Sequence, residues 1–127
     1  MHTFDGLRLT EGVPIYVQLL RYLRQEIAGG AIRDGEELPS RRAASALLGI
    51  NPNTVQKVYR ILEEEGLIRS HAGAKSVVTA DESVRARVRE ELLRTDALAI
   101  ISAMKQAGIE KEAALARLEA LWEEGEG

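Results

Sequence analysis

Four polar side chains, Asn53, Gln56, Lys57 and Arg60, follow one another at intervals of three, one and three residues. At about 100° per residue this spacing gathers all four on one side of a helix. An amide of this kind can exchange two hydrogen bonds with adenine. An ammonium or guanidinium can reach O6 and N7 of guanine or neutralise a phosphate. Val55, Val58, Tyr59 and Leu62 repeat at i, i+3, i+4 and i+7 on the other side, so the helix is expected to pack by its apolar face and present the polar one. Thr54 stands at the edge of the polar stripe, where its hydroxyl can donate to a phosphate. Ser40, Arg41 and Arg42 lie shortly upstream. From Leu38 to Leu62 there is no acidic residue, while Arg41, Arg42, Lys57 and Arg60 supply positive charge. Such a local field suits a polyanion even on an acidic protein. The chain of 127 residues carries a net charge of −3, which by itself points to no acidic partner. Residues 1–80 hold 10 basic side chains against 9 acidic, and residues 81–127 hold 7 against 11.

Other chemistries are poorly served. There is no Cys and there are only two His, His2 and His71. A disulfide framework, a thiol nucleophile and a zinc ribbon are therefore excluded, and no metal is expected. No nucleophile–base arrangement or phosphate-binding loop occurs, so neither an enzyme nor a cofactor is expected. His71 reads as a hairpin surface residue and Trp122 as packing. Aromatic residues make up 4% of the chain, too few for a platform on which single-stranded bases stack. No apolar run approaches the ~18 residues of a membrane span, and the first residues lack a signal-peptide pattern. A cytoplasmic protein with no membrane partner is expected.

The elements that must position the polar stripe can be read from breakers and caps. A helix is expected from Pro14, with Tyr16, Leu19, Leu20, Leu23 and Ile27 at helical spacing and Gly29-Gly30 as its stop. Ser40 is placed to cap a short helix whose buried face would be Ala43, Ala44, Leu47 and Leu48. Gly49 ends it. Asn51 reads as a cap and Pro52 as the first residue of the next helix, Pro52–Leu62. Helix, tight Gly-containing turn, helix is the helix-turn-helix pattern. Arg60 on that second helix reads either as a surface cation or as a partner for Glu64 at i+4. The acidic run Glu63–Glu65 reads as a solvated helix end. Leu67–His71 and Ser76–Thr79 are β-prone and separated by a Gly-containing segment, which predicts a hairpin, or wing. Phe4, Leu7 and Leu9 would pack as an extended arm.

The chain divides near Ala80. Residues 1–80 are expected to form a winged helix-turn-helix domain and residues 81–127 a two-helix dimerisation tail; the fold class is mainly α with a small β-hairpin. A long helix is expected over Glu82–Ala107 and a second over Glu110–Glu124, with Gly108 between them. Val84, Val88, Leu92, Leu98, Ile101 and Met104 on the first, and Leu115, Leu118, Leu121 and Trp122 on the second, exceed what one small head can cover. A second copy of the chain is the expected acceptor. At ~1.5 Å per residue the first helix is about 39 Å long, compatible with two heads about one DNA turn, ~34 Å, apart. The tail is judged too short to enclose a pocket of about 300 Å³ on its own. A small-molecule effector, if one acts, would sit at the dimer interface or between tail and head.

Three stretches carry a family resemblance: Pro14-Ile15-Tyr16-Val17-Gln18-Leu19, Leu38-Pro39-Ser40-Arg41-Arg42, and Gly49-Ile50-Asn51-Pro52-Asn53-Thr54-Val55 continuing to Gly66-Leu67-Ile68. Residues 13–79 resemble the DNA-binding head of GntR-family transcription regulators, and the short helical tail resembles the YtrA subfamily. The resemblance implies a homodimeric winged-helix repressor. It implies that Arg42, Asn53, Thr54 and Gln56 touch DNA and that Gly73, at the wing tip, approaches the minor groove. The wing departs from the family's usual Arg-x-Gly-x-Gly-Thr through Ala72, Ala74 and Lys75, although Lys75 can still meet a phosphate. Arg41 replaces a residue that is more often aliphatic.

The expected function is therefore sequence-specific binding of double-stranded DNA by a homodimeric repressor, reading a palindromic operator through Pro52–Leu62 in the major groove. The competing expectation is a protein-interaction module that uses the helical tail and carries a non-functional winged helix.

Overall fold

The computed structural model describes residues 4–71 and 75–125. They form two compact units, residues 1–90 and 91–127. The head contains α1 (Ile15–Ala28), β1 (Glu37–Leu38), α2 (Arg41–Leu48), α3 (Pro52–Glu64), β2 (Ile68–Ser70) and β3 (Ser76–Val78). It also holds the first turns of α4 (Glu82–Gln106), which is followed by α5 (Lys111–Trp122).

The local signals set most boundaries. Pro14 is the N-cap of α1 rather than its first helical residue. Ser40 Oγ accepts from the Ala43 amide at 3.1 Å and starts α2. Asn51 Oδ1 accepts from the Asn53 amide at 2.7 Å, with Pro52 next in line, and starts α3. Between α2 and α3, Gly49 adopts a left-handed conformation at φ 65°, which costs glycine nothing and an L side chain about 1–2 kcal/mol. That one residue turns the chain from one helix into the next.

The head's core takes Leu19, Leu23 and Ile27 from α1, and Val55, Val58, Tyr59 and Leu62 from α3. Leu38, Leu67, Ile68 and Val78 close it from the sheet side. Phe4, in the segment ahead of α1, is buried too, while Leu9 is exposed. The predicted hairpin is present, β2 pairing antiparallel with β3 so that Ser70 faces Ser76. The sheet has a third strand that the sequence pattern did not predict: β1 pairs with the other side of β3, Leu38 opposite Ser76, giving the order β1-β3-β2. Its effect is to fix Leu38-Pro39-Ser40 against the wing strand.

Two expected faces require correction. On α2 only Ala44 is buried, and Leu47 is 54% exposed; a helix of eight residues reaches the core with little more than one turn. Glu65 and Glu63 do not form a merely solvated helix end. Glu65 is in an ion pair with Arg24 of α1, and Glu63 accepts from the Ser70 hydroxyl at 2.6 Å. These contacts tie the end of α3 to α1 and to the wing.

On α4, Val88 is 3% exposed and lies within the head. This corrects its expected place on a dimerisation face, because a side chain enclosed by its own chain has no surface left for another. Val84, Leu92 and Met104 are half-buried. Leu98, Ile101, Leu115, Leu118, Leu121 and Trp122 are exposed, Trp122 to 78%. Leu93 and Ile100 are exposed as well, so the apolar surface of α4 is broader than a stripe. Within the second unit, α4 and α5 flank an open apolar cleft of about 310 Å³, lined by Ile100, Ile101, Met104, Ile109, Leu115 and Leu118 among others. The cleft is open rather than enclosed.

Candidate nucleic-acid interface

Helix α3 separates its two faces as its sequence requires. Val55, Val58, Tyr59 and Leu62 are fully buried. Asn53, Gln56, Lys57 and Arg60 are exposed, and Thr54 is half-buried at the boundary. Arg60 makes no ion pair among the described residues, so its charge is available to the exterior. The Asn51 carboxamide oxygen is committed to its cap; Asn53, two residues on, has its side chain outward.

The N-terminal end of α2 is tied to the buried face of α3 through Tyr59. The Tyr59 hydroxyl donates to the Pro39 carbonyl oxygen at 2.7 Å. Burial pushes the pKa of that hydroxyl well above the ordinary range for tyrosine, with the positive charge of Arg41 a smaller opposing effect. It therefore stays protonated and remains a donor. Arg42 is exposed. Arg41 is half-buried, with its guanidinium carbon 5.9 Å from the centroid of the Tyr59 ring. Arg41 therefore belongs in part to the packing around Tyr59. Its Nε is buried without a hydrogen-bond partner among the described residues.

Lys75, on the wing, is exposed and pairs with Glu37 of β1 at 3.4 Å. Gly73, expected at the wing tip, lies outside the described residues. Ser40 spends an oxygen lone pair on its cap and keeps a hydroxyl proton to donate.

The structure adds a residue absent from the expected set. The Lys57 ammonium stands 3.6 Å from the centroid of the Tyr16 ring on α1. Asn51, Asn53, Thr54 and Lys57 share an open cleft with Ile15 and Tyr16. The sequence places Tyr16 among the apolar positions of α1, and nothing local pairs it with a lysine 41 residues on.

A polar, cation-bearing helix face, backed by a short helix with a free arginine and flanked by a wing, is the geometry of a winged helix-turn-helix. Residues 15–78, half of the chain, match the family of bacterial regulatory proteins called gntR. The chain belongs to the gntR family. As a GntR-family protein it is a transcriptional regulator with a DNA-binding helix-turn-helix, and the family consists of regulators rather than enzymes. A GntR family transcriptional regulator from Listeria monocytogenes is similar over 88% of this chain and 98% of its own, with a TM-score of 0.81 and 29% identity. YtrA from Sulfolobus acidocaldarius, a GntR-family transcription factor, is 30% identical, covers 94% of this chain and 97% of its own, and gives a TM-score of 0.54. The HTH-type transcriptional repressor YtrA of Bacillus subtilis is 35% identical over 66 residues, 52% of this chain and 51% of that protein. These similarities support the YtrA subfamily within the GntR family.

Proposed function

We propose that this GntR-family regulator is a homodimeric repressor that reads a palindromic operator in the cytoplasm, each copy laying α3 in the major groove. The observation that carries the reading is the segregation of α3: four buried apolar side chains on one face, and Asn53, Gln56, Lys57 and Arg60 exposed on the other. In this assignment Asn53 and Gln56 read base edges. Thr54, Lys57, Arg42 and the Ser40 hydroxyl hold phosphates. Arg60 and Lys75 extend the positive surface, Arg41 contributes through its charge, and Gly73 lets the wing approach the minor groove.

The homodimer is supported by the exposed Leu98, Ile101, Leu115, Leu118 and Leu121, which are costly to leave in water. A second copy can fill the cleft between α4 and α5, and the half-buried Val84, Leu92 and Met104 and the exposed Trp122 would border that contact. Repression is supported by the similarity to the Bacillus subtilis repressor.

The test is selection of bound sequences from a random duplex library, followed by affinity measurements in rising salt. An inverted repeat whose half-sites are centred about one helical turn apart is expected, with affinity falling steeply as salt rises. No enriched sequence, or an affinity indifferent to salt, overturns the reading. A protein-interaction module acting through its tail would instead keep its function in an Arg42→Ala, Gln56→Ala double variant.

A further inference from the structure

We propose that Tyr16 is a positioning residue of the DNA interface, whose ring holds the Lys57 ammonium in the cleft between α1 and α3 so that Lys57 meets a backbone phosphate and not a base. The inference rests on the assignment of α3 as the DNA-facing helix.

Three observations carry it. The Lys57 Nζ lies 3.6 Å from the Tyr16 ring centroid, well inside cation–π range, so the ring shields one side of the ammonium from water. A helical side chain leans toward the N-terminus of its own helix. Lys57, a turn and a half into α3, is thus drawn back toward Asn53 and Thr54, and all three line the same cleft. Finally, no carboxylate pairs with Lys57 among the described residues, so the cation keeps its charge for an outside anion. A lysine ammonium on a free stem loses much rotamer freedom when it binds. Held over the ring, it has already lost part of that freedom before DNA arrives, which raises affinity without any new contact. Held against the Tyr16 ring, the ammonium is assigned to a phosphate, and sequence discrimination is left to Asn53 and Gln56.

The test uses the full chain and its selected operator, plus a set of operators each changed at one base pair. Tyr16→Phe keeps the ring and is expected to bind as the parent does. Tyr16→Leu is expected to lose about 3- to 10-fold in affinity, equally across the operator set. Lys57→Ala is expected to lower affinity uniformly and to reduce the salt slope by about one. The Tyr16→Leu, Lys57→Ala double variant should bind no more weakly than Lys57→Ala alone. A direct readout comes from the free protein: the Lys57 ε-methylene protons should show an upfield ring-current shift in NMR spectra that Tyr16→Leu abolishes and Tyr16→Phe retains.

The inference is overturned if the two substitutions act additively, if Lys57→Ala changes base preference at one position, or if the ring-current shift is absent. If Asn53→Ala and Gln56→Ala also leave DNA affinity untouched, it is the DNA-facing assignment of α3 that fails.

Discussion

The hydroxyl of Tyr59 donates a 2.7 Å hydrogen bond to the carbonyl oxygen of Pro39. Both residues are fully buried. The bond reaches from the middle of α3 to the residue just ahead of Ser40, Arg41 and Arg42, so the groups assigned to base edges and those assigned to phosphates share one frame. Tyr59→Phe would keep the ring and strand the Pro39 oxygen in the core. A loss of about 1–3 kcal/mol in stability is expected, seen as a lower urea midpoint with an unchanged slope at fixed protomer concentration. An unchanged midpoint would show that water or another donor replaces the bond.

Gly49 offers a cleaner backbone test. An added Cβ would meet nothing within 4 Å, so any cost of Gly49→Ala comes from its φ of 65° alone. A destabilisation of about 1–2 kcal/mol is expected. Gly49→Asn should lose less, since asparagine tolerates the left-handed region better than alanine. Equal stability of the Gly and Ala forms in urea unfolding would contradict the turn geometry.

The apolar tail makes a prediction about assembly. Leu115 is 54% exposed and lines the α4–α5 cleft. If the proposed homodimer forms through this cleft, Leu115→Glu removes an apolar contact worth roughly 1.5–3 kcal/mol from each copy of a symmetric interface. The dimer dissociation constant should rise about 100-fold or more, read by sedimentation, while the circular dichroism of the head persists. A dimer of unaltered affinity would remove the cleft from the interface.

Asp81 sets a pH dependence at the start of α4. Its Oδ1 accepts from the Val84 amide at 3.0 Å and from the Ser83 hydroxyl at 2.8 Å. These bonds, the Val84 amide first, hold its carboxyl below the usual range for aspartate. Because the folded form ionises more readily than the unfolded one, its stabilising effect is present above the ordinary value of ~3.9 and disappears as pH falls through the lower folded value. An NMR titration of the Asp81 carboxyl carbon should give a midpoint below that ordinary value, and Ser83→Ala should raise it. A midpoint at or above ~3.9 would contradict the capping arrangement.

What the sequence makes legible here is local. Ser40, Gly49 and Asn51-Pro52 act within four residues of themselves, and each stands where its chemistry put it. The polar and apolar faces of α3 are legible for the same reason, since 13 residues hold several helical turns. Strand β1 is not legible, because two residues show no alternation and its partner is some 40 positions away. Spacing places Leu47 in the core, yet α2 is too short for spacing to decide which turn reaches inward. Within the candidate site, exposure of Asn53, Gln56, Lys57 and Arg60 follows from periodicity. The stacking of Arg41 on Tyr59 and of Lys57 on Tyr16 depends on how three helices meet, which no single segment encodes.

The enclosure of Val88 has a practical consequence for anyone cutting this protein into pieces. A fragment stopped at Ala80, where the composition changes, would be missing one of its own interior side chains and would expose whatever Val88 shelters. The compact unit that retains Val88 runs through Glu90. Experiments on an isolated head should start from that longer fragment, so that loss of Val88 is not confounded with loss of binding.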